Sequence, residues 1–158
     1  MRAAVLVPIW QDGDHLRLVL TRRPDGMRTH AGDVVFPGGF IEPSDEGPVG
    51  AALREAWEEV GIPPDHVEVI GGLPPVTTRS SHMLIVPVVG RIRRPARLVP
   101  EPGEVDAIIE PTISRLLDED AWEARVWGGH TLWFFEFPQG TLWGATARIV
   151  RNLLEYFR

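Results

Sequence analysis

Cysteine is absent from the 158 residues. That excludes disulfides, thiolate metal sites and a cysteine nucleophile, and suits a cytoplasmic enzyme. Lysine is absent too, so all sixteen cations are arginines, planar forks that match phosphate. No apolar run approaches the roughly 18 residues of a membrane helix. The opening "MRAAVLVPIW" is too short and too quickly polar for a secretory signal. A formal charge of −6 argues against nonspecific binding to nucleic acid or an acidic membrane.

What is present reads as a globular protein, 44 % hydrophobic and 24 % charged. The length suits one domain over 1–158. The 16 glycines and 15 prolines are scattered, which points to many tight turns. Ala3 to Ile9 and Leu16 to Thr21 are expected to pair as a hairpin across "QDGD". Val34 to Phe36 is a short strand ending at Pro37-Gly38-Gly39, read as a turn. A helix is expected from about Val49 to Val60, stopped by Gly61 and Pro63-Pro64. Val67 to Gly71, Met83 to Val89 and 105–109 read as strands, and "PTISRLLDED" as a short helix. "HTLWFFEF" is expected to be a buried strand. Ala145, Ile149, Leu153 and Phe157 recur every fourth residue, which predicts a C-terminal amphipathic helix. Elements mixed in this order predict an α/β sandwich with helices on both faces of the sheet.

The chemistry is concentrated in the first helix. At about 100° per residue, Glu55 and Glu59 lie one turn apart, with Glu58 on the other side of Glu55. Such a fan is either a solvated face or a set of hard oxygen ligands for magnesium or manganese. Gly38 and Gly39 precede it, where backbone can come close to bound ions. Arg54 precedes Glu55, and either Asp45 or Glu46 is placed to fold back and pair with it. That pair would hold the loop against the helix. Gly61 ends the element.

This order of residues resembles the Nudix hydrolase box. "REAWEEVGI" matches its second half, from Arg54 to Ile62, while one extra residue lies between Gly39 and Glu46. The resemblance implies a Nudix α/β/α sandwich with a mixed sheet. It also implies magnesium- or manganese-dependent hydrolysis of a nucleoside diphosphate linked to another moiety, a small-molecule nucleotide. Carried over, Glu55 and Glu59 become metal ligands and Glu58 a ligand or the group that activates water. The Gly38 carbonyl is a backbone ligand candidate. A further acid from a later loop is implied; Glu104 is preferred over Glu101 and Asp106.

The preceding stretch, "VLTRRPDGMRTHAGDVVFPGG", resembles the motif of the coenzyme A pyrophosphatase branch. Thr21, Arg23, Arg28, Gly32 and Phe36 to Gly39 fall in register, and the extra residue near Asp45 fits the same branch. Arg23 and Arg28 are then candidates for a phosphate of coenzyme A, with His30 beside them as a phosphate contact or a loop-fixing group. Pro24 departs from the branch's small residue, fixing the backbone and removing an N–H. It motivates a second reading, a Nudix pyrophosphatase for ADP-ribose, NADH or a nucleoside triphosphate. A third is a noncatalytic nucleotide-binding Nudix domain. The aromatic C-terminal third offers a surface for a homodimer.

Overall fold

The computed structural model describes residues 1–27, 31–79, 81–93 and 97–158. Arg28 and His30, both expected at the substrate, lie outside these residues.

The centre is a pair of long parallel strands, β1 (Arg2–Asp12) and β8 (Leu84–Ile92). Strands β2 (His15–Leu18) and β6 (Val67–Gly72) flank them, in the order β2-β1-β8-β6. Two short strands complete this mixed sheet: β5 (Gly38–Phe40) pairs with β1, and β7 (Val76–Thr77) with β8. Strands β3 (Leu20–Arg22), β4 (Val34–Val35) and β9 (Ala107–Ile109) make a second sheet in the order β4-β3-β9. A third joins β10 (Trp122–Trp127), β11 (His130–Phe137) and β12 (Gly140–Leu142).

Alternation along β1 explains the layers. Ala4 and Leu6 join one apolar cluster with Ala51, Ala52, Ala56 and Val60 of helix α1 (Gly47–Val60). Val7 and Ile9 point to the other face. There they meet a cluster holding Ile149, Val150, Leu153 and Leu154 of helix α3 (Gly144–Leu154). The chain is thus an α/β sandwich with a helix on each side of a mixed sheet. Alanines on the inner face of α1 keep that helix close to the strands, which matters for the site.

Several local expectations change. Leu16 to Thr21 is two strands, because Val19 leaves the ladder and its N–H donates to the Pro8 carbonyl at 3.2 Å. Pro-Gly-Gly is no free turn, since Gly38 opens β5. The strand at 130–137 is buried only at Phe135 and Phe137. Its partners β10 and β12 were not expected, because "WEARVW" lacks a buried face beyond Trp122. The C-terminal helix ends at Leu154 and tightens to a 3-10 turn, leaving Phe157 exposed. Short helix α2 (Ile113–Leu116) opens after Thr112, whose hydroxyl accepts the Arg115 N–H at 3.1 Å.

Candidate active site

The site forms where β5 crosses in front of α1. A β-carbon on Gly38 would stand 2.5 Å from the Ala4 carbonyl oxygen and 2.6 Å from a Val5 methyl, so only glycine fits there. On Gly39 it would stand 2.6 Å from Glu55 Oε1. The missing side chain is the space the Glu55 carboxylate uses. In the ladder, Pro37 accepts from Leu6 at 2.9 Å and Ile41 donates to Arg2 at 3.1 Å. Gly38, in the alternate register, turns its backbone groups away from β1. Its N–H donates instead to Glu59 Oε2 at 3.1 Å.

Glu59 is only 4 % exposed. Burial pushes its carboxyl up to about 9, the Glu55 carboxylate beside it and the charge of Glu104 push the same way, and the Gly38 N–H only partly opposes them. Three acids from two segments therefore act on one another at this spot. Glu104 arrives on a loop pinned to the helix end: the Glu101 N–H donates to the Glu59 carbonyl at 2.8 Å and the Glu104 N–H to the Glu101 carbonyl at 3.0 Å. Of the three acids weighed for the later loop, Glu101 binds through its backbone and Asp106 pairs elsewhere. Glu104 is the one whose charge reaches Glu59.

Arg54 organises the rest. Its guanidinium donates to both oxygens of Asp45, at 2.8 and 3.0 Å, to Glu55 at 2.9 Å, to Glu58 at 3.2 Å and to the Phe40 carbonyl at 3.2 Å. Arg54, helped by the Glu42 N–H, holds the Asp45 carboxyl down at about 2. The choice between Asp45 and Glu46 therefore falls to Asp45, while Glu46 sits exposed at the start of α1. Gly61, at φ +71°, closes the helix with its N–H on the Trp57 carbonyl, and the Ile62 N–H reaches back to Ala56. Trp57 is 54 % exposed.

Among the described residues the acids do not stand as a ready three-donor metal group, because Arg54 bridges Glu55 and Glu58. The donor set nevertheless fits a hard divalent cation: carboxylate oxygens, one of them buried against its own kind, around a glycine without a side chain.

Ahead of β4, the Arg23 N–H donates to the Asp33 carbonyl at 2.9 Å and the Gly32 N–H to the Arg23 carbonyl at 3.0 Å. The neighbouring Arg22 ties two segments together. It bonds Asp25 at 2.7 Å and Asp106 at 2.5 Å. Asp106 lies 84 residues away, and no spacing rule could have paired them.

A NUDIX domain model matches residues 1–128. The Escherichia coli (strain K12 / DH10B) uncharacterized Nudix hydrolase NudL is 40 % identical, over 96 % of this chain and 80 % of its own. The solved MutT/nudix family protein of Enterococcus faecalis is 15 % identical, with a TM-score of 0.68 over 99 % of this chain and 61 % of that one. The NUDIX domain of Shewanella oneidensis NrtR, solved with ADP ribose, is 16 % identical, with a TM-score of 0.64 over 100 % of this chain and 88 % of that one. At these identities the two structures speak for the fold alone.

Proposed function

The chain belongs to the Nudix hydrolase family, and we propose that it cleaves the pyrophosphate bond of coenzyme A or its derivatives, giving 3′,5′-ADP and 4′-phosphopantetheine. One observation carries the chemistry: the Glu59 carboxyl is buried beside Glu55 and within reach of the charge of Glu104, and among the described residues it is the neutral Gly38 N–H that donates to it. Such a group is costly in a site without a cation and well suited to one that binds it. Glu55 and Glu59 would hold magnesium or manganese, with Glu58 and the outward Gly38 carbonyl completing the set. A bound cation of this kind neutralises pyrophosphate charge and lowers the pKa of water.

The chain's own groups do the rest. Asp45 and Arg54 hold the loop of β5 against α1, so the carboxylates are placed before substrate arrives. Glu58, 54 % exposed beside Arg54, and the exposed Glu104 both open to solvent, where either could take a proton from attacking water; for Glu58 that role is the alternative to holding the cation. Gly39 keeps Glu55 in place by leaving it room.

Coenzyme A is favoured by the register of Thr21, Arg23, Arg28, Gly32 and Phe36 to Gly39. Its 3′-phosphate is an extra dianion for forked guanidinium groups. Pro24 keeps ADP-ribose, NADH and nucleoside triphosphates as the second reading.

A hydrolysis panel with magnesium or manganese tests this. Coenzyme A should be cleaved faster than 3′-dephospho-coenzyme A, ADP-ribose, NADH and the triphosphates. Equal rates on the dephospho form would remove the 3′-phosphate role of Arg23 and Arg28. Activity that survives both Glu59→Gln and a chelator would sink the metal chemistry.

A further inference from the structure

The segment 23–33 carries the arginines assigned above to the substrate. Backbone bonds between Arg23, Gly32 and Asp33 close it into a loop. The pairing of β3 with β4 and β9 sets its base beside Ala107. Two side chains outside the Nudix box tie it further, one at each end.

At one end Arg22, 18 % exposed, spans two segments with one guanidinium: Asp25 inside the loop and Asp106 beyond Glu104. The Asp106 N–H also returns to the Arg22 carbonyl at 2.8 Å. From there the bonds continue inward. Val105 and Glu104 donate to the Glu101 carbonyl, and Glu101 donates to the Glu59 carbonyl. Main chain and hydrogen bonds together thus connect Arg22 to the backbone of Glu59. At the other end Asp33 Oδ1 accepts the Trp143 indole N–H at 3.0 Å. Trp143 lies flat against Phe134, with ring centres 6.0 Å apart and planes 4° from parallel. A β-carbon on Gly140 would stand 3.3 Å from the Gly32 carbonyl, so β12 lies close against the loop's base.

Stability does not account for this. Asp25 and Asp106 are 84 % and 55 % exposed, and ion pairs to exposed partners contribute little. What a covered, forked arginine does supply is fixed geometry. A segment whose ends are held in place loses less entropy when a ligand arrives.

We propose that Arg22 and Trp143 are positioning residues that, through Asp25 and Asp33, hold residues 23–27 and 31–33 beside the acid-bearing segment 101–106, and so tune the affinity for the nucleoside diphosphate part of the substrate. The proposal rests on the substrate role assigned to that loop under the function above. Neither residue touches the reacting atoms.

The test compares Arg22→Met, Arg22→Lys, Asp106→Asn and Trp143→Phe with the parent chain. Trp143→Phe keeps a ring against Phe134 and loses the N–H to Asp33. KM and kcat are measured on whichever of coenzyme A or ADP-ribose the parent cleaves faster, and ADP affinity by calorimetry. Arg22→Met should raise KM and weaken ADP about tenfold with kcat within about twofold. Arg22→Lys should fall between, because a single ammonium cannot fork to both carboxylates. Asp106→Asn and Trp143→Phe should each cost about threefold in affinity. Arg22→Met with Asp106→Asn should be no worse than Arg22→Met alone. Unchanged KM and ADP affinity, or kcat falling in step with lost folded protein, would overturn the proposal. Should Arg22→Met fail to fold, unchanged affinity in both Asp106→Asn and Trp143→Phe overturns it. A parent that prefers ADP-ribose refutes the coenzyme A reading and leaves this comparison intact. A parent that cleaves neither refutes the function, and ADP affinity still decides the role of Arg22.

Discussion

Two charge clusters of opposite build lie on opposite faces of the central sheet. Beside α1 one guanidinium, Arg54, serves Asp45, Glu55 and Glu58, with Glu42 at 3.9 Å. Beside α3 one carboxylate, Glu119, serves two guanidinium groups. Arg151 reaches both its oxygens, at 2.9 and 3.0 Å, and Arg158 one of them at 2.9 Å. Arg151 also lies over Trp133, 3.6 Å from the ring centre, so its charge sits on an aromatic face as well. The second cluster is closed: its carboxylate is fully paired. The first is left with negative charge in excess, and its most buried member, Glu59, is faced by a backbone N–H and by two other acids. A closed cluster stabilises a fold. The open one is where the proposed function puts the cation.

The largest contrast should come from removing one charge in each. Glu59→Gln should lower kcat/KM by about a hundredfold or more. In chelator it should raise stability by about 1–3 kcal/mol, because a buried acid crowded by its own kind is gone. Glu119→Gln should do the reverse: unchanged activity and a small loss of stability. Denaturant titration beside initial-rate assays measures both. If Glu59→Gln destabilised the chelated protein, the open character of the first cluster would be wrong.

Gly39→Ala asks whether the placement of Glu55 matters as much as its charge. The new methyl would meet the end of a flexible side chain, so Glu55 can swing aside at little cost to folding. A carboxylate displaced by about 1 Å should still lose ten- to a hundredfold in kcat/KM. Arg54→Gln works through the same cluster from the other side. It strands Asp45, whose side chain is 5 % exposed, and should cost about 1–3 kcal/mol in denaturant unfolding. A loss as small as that of Glu119→Gln would mean that Asp45 rehydrates when Arg54 goes.

The difference between the clusters also explains what could be read from the sequence. The α1 acids follow a helical period, so Glu55, Glu58, Glu59, Arg54 and the closing Gly61 were all visible as a pattern. The loop before them has no period. One extra residue left Asp45 and Glu46 open until the coordinates showed two hydrogen bonds to Asp45. The Glu119 cluster was invisible, because its partners are 32 and 39 residues away and meet only through tertiary packing. The same holds for Arg22 with Asp106 and for Asp33 with Trp143, 110 residues apart. Trp57 is apolar and on α1, yet the alanines take the buried face and leave it more than half exposed. The strand at 130–137 fails in part, since aromatic richness suggested burial along its length while only Phe135 and Phe137 are buried and Trp133 and Phe134 stay partly open.

The smallest effect is a matter of pH. Arg151 first, then Arg158, holds the Glu119 carboxyl at about 2 in the folded chain, against about 4.3 for an unperturbed glutamate. Its folded value is depressed, so its contribution is complete above about pH 5 and disappears as pH falls toward 2. The pair is half exposed, with 47 % of the Glu119 side chain accessible, so the contribution should stay within ~0.2–1 kcal/mol. Melting curves of the parent and Glu119→Gln should therefore be offset at pH 6–7 and converge between pH 5 and 2, with the parent losing stability faster. Added salt should narrow the offset. Curves that stay parallel down to pH 2 would show that the two arginines do not stabilise the ionised form. The cluster beside α3 would then be held by Arg151 on its tryptophans rather than by its charges.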